Sequence, residues 1–137
     1  MLEIVMVVAI LVVALLIYLP SIDKIKNIND LTVTVDAVLS SFKRAQVKAV
    51  SNQNDSVWGT KIEANKVTIF RGSSFSGRNP SFDETFQLPS QVFVSGPSEI
   101  FFSKLAGLPN ATGSMTLSTV GGSSKIININ EQGVLDN

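Results

Sequence analysis

From Ile4 to Leu19 the chain runs for sixteen residues with no polar side-chain atom except the Tyr18 hydroxyl. A helix that is apolar on every side must be covered on every side, and a chain of 137 residues has little interior in which to hide one. At ~1.5 Å per residue the run makes a helix of about 24 Å. That is slightly short of a bilayer core of ~30 Å, which asks for ~20 residues. Glu3 stands before the run and Pro20 behind it. The residues alone leave three readings. A secretory signal peptide has a basic start and a small-residue cleavage site, whereas this chain has Glu3 and Leu19-Pro20-Ser21. A single-span anchor would have Glu3 reaching for water. In the third, the helix leaves the bilayer and packs against copies of itself.

Composition narrows what the rest can do. Eleven basic residues balance eleven acidic ones, so no global field draws in nucleic acid or an anionic surface. The chain has no cysteine, which excludes disulfides, thiolate metal sites and a cysteine nucleophile. It has no histidine either, which removes the commonest general base and zinc ligand. The expectation is a protein that is not an enzyme and carries no cofactor or metal.

After Pro20 the pattern becomes striped. Ile22, Ile25, Ile28, Leu31, Val35, Val38, Leu39, Phe42, Ala45 and Ala49 recur at steps of three and four, the period of an amphipathic helix. One helix from near residue 2 to near residue 50 is predicted, about 70 Å long. Asn27-Ile28-Asn29-Asp30 and the β-branched Thr32-Val33-Thr34-Val35 are weak helix formers, so a break between 27 and 35 is expected, with Asp30 capping a second segment from Leu31. Pro20 removes a backbone donor and is expected to kink the helix. Ser51-Asn52-Gln53-Asn54-Asp55 should end it in a polar loop.

Beyond residue 55 the texture is that of strands. Strands are predicted at 57–62, 66–70, 84–88, 91–94 and 99–103, with a long loop over 72–80. The clearest hairpin joins 114–120 to 125–130 through Gly121-Gly122-Ser123-Ser124. The fold class expected is α+β: a long N-terminal helix, first a hydrophobic stalk and then an amphipathic half, packed on an antiparallel β-sheet head. The divisions are a stalk over 1–20, the amphipathic continuation over 21–52 and the head over 53–137.

Leu2-Glu3-Ile4-Val5-Met6-Val7-Val8-Ala9-Ile10-Leu11 resembles the processed N-terminus of type IV pilins and type II secretion pseudopilins. That family has a short apolar start, a glutamate and an apolar helix, and many members carry a proline seventeen residues after the glutamate, as Pro20 follows Glu3 here. The family's glutamate is the fifth residue of the processed chain, while here it is the third, an offset that points to residues missing ahead of Met1 or to a different native start. Val57-Trp58-Gly59, Ile100-Phe101-Phe102 and Ile126-Ile127-Asn128-Ile129-Asn130 before Gly133 resemble the H-type minor pseudopilins and FimT-like pilins. The resemblance implies a single-pass membrane protein that becomes part of a filament at the cell surface. It implies partners too: copies of the chain in a helical homo-oligomer, other pilins, a prepilin peptidase and an inner-membrane assembly platform. It implies that the new N-terminal amine is methylated and that Glu3 meets that amine on a neighbouring subunit. The subunit-assembly residues expected are therefore Glu3, its neighbours Leu2 and Ile4, and Pro20. The alternative is a minor pseudopilin of a secretion system or a DNA-uptake minor pilin.

Other chemistry finds little support. The glycines at 72, 77, 121 and 122 lie in serine-rich turns without phosphate-loop spacing. Asp83-Glu84 falls far short of the oxygen cage calcium needs, and a solvated loop is expected there. The head's basic residues, Lys61, Lys66, Arg71, Arg78, Lys104 and Lys125, are scattered and the tail Gly133-Val134-Leu135-Asp136-Asn137 is not basic. Without a positive stripe, nucleic acid is not an expected partner. Asn54-Asp55-Ser56 and Asn110-Ala111-Thr112 fit the glycosylation triplet, a pattern common by chance.

Overall fold

The structure, a computed structural model, describes residues 1–136 and every side chain among them except those of residues 17–24. The side chains of Pro20, where a kink is expected, and of the stripe position Ile22 lie outside the described ones. One helix, α1 (Leu2–Val50), is followed by eight strands. They are β1 (Trp58–Glu63), β2 (Lys66–Arg71), β3 (Glu84–Gln87), β4 (Val92–Ser95), β5 (Glu99–Phe102), β6 (Gly113–Thr119), β7 (Ser124–Ile129) and β8 (Leu135–Asp136). The architecture is α+β, a long N-terminal helix packed on an antiparallel β head. The head holds two four-stranded sheets, in the orders β3-β2-β1-β5 and β4-β6-β7-β8.

The stripe does what its period implies, but only over part of its length. Leu31, Val35, Val38, Phe42, Ala45 and Ala49 are buried, and Leu39 is half-buried. Ile25 and Ile28, on the same sequence pattern, are exposed. The reason is where the head stops. The β6–β7 turn meets the helix at Asn27, where a methyl added to Gly121 would lie 2.7 Å from the Asn27 Nδ2. Ile25 precedes that contact, on the stalk side of it.

The expected break between 27 and 35 does not occur, and Asp30 caps nothing: α1 is continuous there. Two hydroxyls that could have competed with the helix are absorbed by it. Thr32 Oγ1 donates to the Ile28 carbonyl at 3.0 Å and Thr34 Oγ1 to the Asp30 carbonyl at 2.7 Å. Leu31, Thr34 and Val35 are buried on the sheets, and such packing outweighs the few tenths of a kcal/mol per residue that weak propensity costs.

In the first sheet β1 pairs with β2 from Trp58↔Arg71 to Glu63↔Lys66 and with β5 from Trp58↔Phe102 to Lys61↔Glu99. Gly59 sits opposite both Phe70 and Phe101. A Cβ at this position would lie 2.7 Å from the Phe70 ring and 2.8 Å from the Ile100 carbonyl oxygen, so the strand's centre requires glycine. The segment 72–83 is more than a connection. Phe75 packs edge-on against Phe70 at 5.6 Å, and Phe82 lies under the Arg71 guanidinium at 4.7 Å. In the second sheet the expected hairpin forms between β6 and β7, while the two-residue β8 was not anticipated.

No strand pairing links the two sheets. Their inner faces meet on the helix, in one cluster that includes Trp58, Val67, Ile69, Ile100 and Phe102 from the first sheet and Val92, Met115, Leu117, Ile127 and Ile129 from the second. Phe42 stands between them, edge-on to Phe102 at 6.3 Å. Polar ties fasten the helix at its end. Gln46 Nε2 donates to the Gly107 and Gln132 carbonyls at 3.0 and 3.1 Å, the first in the loop after β5 and the second in the loop between β7 and β8. Lys48 lies 4.3 Å from the Trp58 ring centre, while Trp58 Nε1 donates to the Gln53 carbonyl at 2.9 Å.

The helix ends at Ser51 and the chain turns through left-handed Asn52, Asn54 and Asp55. The hydrogen bond from the Lys104 ammonium, helped by one from Asn52, holds the Asp55 carboxyl below its ordinary pKa. A depressed carboxylate adds stability that is present above its unfolded pKa and is lost as pH falls through the folded value. In a carboxyl NMR titration, Lys104→Met is expected to return the Asp55 midpoint towards the ordinary carboxylate value, with little change in global stability because the pair is exposed.

Candidate assembly surface

The stalk emerges from the head without cover. Over residues 2–16 every side chain is exposed, and the large apolar ones range from 49 % at Val12 to 78 % at Leu2. A monomer in water rarely exposes apolar patches beyond a few hundred Å², and this one surrounds a helix for about 22 Å. Ile25 and Ile28 extend apolar surface towards the head.

The expected assembly residues fall as follows. Leu2 and Ile4 are exposed in the first turn of α1, and Glu3 lies between them, the acid of that turn. Among the described residues Glu3 has no ion-pair partner. A carboxylate at a helix N-terminus is favourably placed against the helix dipole but keeps its capacity to meet a cation from outside. Pro20 lies outside the described residues. Among the described residues no helix is long and apolar enough to cross a membrane.

The head's charges are mostly spent internally. Glu84 accepts from Arg44 at 2.6 Å and from Lys48, and Arg78 pairs with Asp83 at 2.7 Å. Asp83-Glu84 is therefore not the solvated loop expected: both carboxylates are held by cations, Glu84 by two from α1, which clamps β3 to the helix. Arg44 also lies over the Phe86 ring at 5.2 Å. Lys61, Lys66 and Lys104 pair with Glu99, Glu63 and Asp55. Of the two glycosylation triplets, Asn110 uses its side-chain oxygen to accept from the Phe101 amide at 2.8 Å.

Sequence reasoning missed Gln46 and Glu84. Gln46 sits beside the apolar stripe and its partners are carbonyls of distant loops, which no local pattern announces. Glu84 is one of an ordinary acidic pair until the fold brings Arg44 and Lys48 to it.

No protein-family model matches the sequence, and no curated protein matches it. Among solved structures, the fold is similar to that of the minor pseudopilin EpsH from the type 2 secretion system of Vibrio cholerae, with a TM-score of 0.57 over 78 % of this chain and 94 % of that one. The two sequences are 11 % identical. The likeness lies in the fold alone.

Proposed function

We propose that this chain is a pilin-like structural subunit, held in a membrane by its N-terminal helix and then polymerised, helix against helix, into an extracellular type IV pilus-like filament. The observation that carries the reading is the exposed apolar stalk continuing into a helix whose other half is the spine of the head. Such a rod is stable only among lipid tails or among other rods. Moving from lipid to sister helices gains packing without a hydrophobic driving force, so assembly calls for an external motor, and a prepilin peptidase and an assembly platform are the partners this implies. Glu3 is assigned the role of meeting the methylated amine of a neighbouring subunit, with Leu2 and Ile4 packing around it and Pro20 allowing the stalk to bend. An unpaired carboxylate in an apolar bundle costs several kcal/mol, and a facing cation offsets much of it.

Glu3→Leu, made in the full precursor in the cells that produce it, is expected to leave the protein in the membrane fraction and to abolish filaments in electron micrographs. Normal filaments from that variant would remove the role given to Glu3, and no filaments from the unaltered chain would remove the polymer reading itself. The fold of EpsH favours a second reading, a minor subunit of a secretion filament present in few copies. Immunogold labelling separates the two: labelling along the fibre marks a major subunit, labelling confined to the tip a minor one.

A further inference from the structure

Where the stalk meets the head, a cleft of about 380 Å³ opens between α1 and the second sheet, lined by Lys26, Asn27, Asp30, Gln91 and Val120. Gln91 stands just before β4 and Val120 just after β6. Lys26 and Asp30 are four residues apart on α1, the spacing at which opposite charges on a helix meet. Among the described residues neither has an ion-pair partner, although acids and bases across the head pair freely. The cleft therefore presents an ammonium and a carboxylate one helical turn apart, each open to a charge from outside. The amides of Asn27 and Gln91 lie beside them, and Val120, 70 % exposed, gives the rim an apolar side.

The membrane reading above, on which this inference rests, fixes the depth of the cleft. A bilayer core of ~30 Å measured along the helix from Ile4 takes ~20 residues and ends near residue 23. Lys26 and Asn27 then lie ~5 Å beyond it, inside a headgroup layer ~5–7 Å deep, with Asp30 at its outer side. We infer that the cleft holds the headgroup of one phospholipid that carries both a phosphate and a primary ammonium, such as phosphatidylethanolamine. Lys26 donates to the phosphate and Asp30 accepts from the ammonium, with the amides of Asn27 and Gln91 able to serve either end. Val120 offers apolar surface to the start of the acyl chains. An anionic headgroup would bring a phosphate to Asp30 with no cation to offset that carboxylate. A choline headgroup has no N–H for Asp30 to accept from. The bound lipid steadies the head on the bilayer surface while the chain is anchored and is left behind when the chain departs.

The full chain, purified in detergent, is titrated with phosphatidylethanolamine, phosphatidylcholine and phosphatidylglycerol of identical acyl chains, and bound lipid is counted by native mass spectrometry. The expected result is one phosphatidylethanolamine held about tenfold more tightly than either other lipid, the equivalent of one charge-assisted contact. D30N should lose that preference, and K26Q should weaken binding of the same lipid about tenfold. K43Q, which removes an exposed lysine elsewhere on α1, should change neither. None of the three positions belongs to the core, so circular dichroism should show an unchanged fold. Equal binding of the three lipids, or a preference kept by D30N, would overturn the inference. Displacement of the lipid by inorganic phosphate would overturn it too, since that marks a site for a free anion. Flotation with phosphatidylcholine vesicles separates this inference from the reading beneath it. A chain that floats yet shows no preference for phosphatidylethanolamine leaves the anchor standing and removes the role of the cleft. A chain that does not float removes both.

Discussion

Replacing Phe42 by alanine is expected to cost the head about 3–5 kcal/mol, the range for removing a buried phenylalanine. A domain of this kind has about 5–15 kcal/mol in all, so the variant should be close to unfolded at physiological temperature. Phe42 is 1 % exposed and stands edge-on to Phe102, and it lies on the helix that both sheets use as their shared core. Urea unfolding of the full chain in detergent, followed by circular dichroism, should show a large fall in midpoint with an unchanged slope. Val47→Ala, on the opposite side of the same turn and exposed, should stay within about 0.5 kcal/mol. Equal effects at the two positions would mean that the helix is not seated on the head by its stripe.

The second large effect concerns solubility. A chain shortened to begin at Ile25 keeps every buried core residue among the described ones, the first of which is Leu31. It loses the exposed apolar segment 2–16. It is expected to remain folded and to sediment as a monomer without detergent, whereas the whole chain should partition into a detergent phase or into membranes. If the shortened chain were unfolded, the removed segment would be stabilising the head, contrary to the exposure of residues 2–16. If the whole chain stayed monomeric in plain buffer, the exposed segment would need no cover and the assembly reading would lose its basis.

Much of this was legible in the residues, and the reasons differ by element. The stalk could be read as helix because a long apolar run favours a backbone that satisfies its own hydrogen bonds, while the residues alone left open what covers it. The stripe from Leu31 to Ala49 and the β6–β7 hairpin could be read because their periods are local. The continuity of α1 through Asn27–Val35 could not, since propensity there opposes the helix and only burial on the sheets decides it. Where the stripe stops being useful was hidden as well: Ile25 and Ile28 look like core in the sequence but are exposed. The separation into two sheets depends on pairings such as Gly59 with both Phe70 and Phe101, set by partners far along the chain. Of the candidate surface, the exposure of Leu2 and Ile4 followed from the run itself.

Having no strand pairing of their own in common, the two sheets also carry a constraint in time. The helix leaves the ribosome first, yet its inner face is completed only by β7, more than seventy residues later. Until then an apolar spine has no partner within its own chain. Contacts so distant in sequence close slowly and leave sticky intermediates exposed. A membrane that gripped the leading end early would give the nascent protein somewhere to wait, and the exposed apolar stalk would then guard the unfinished head against clumping.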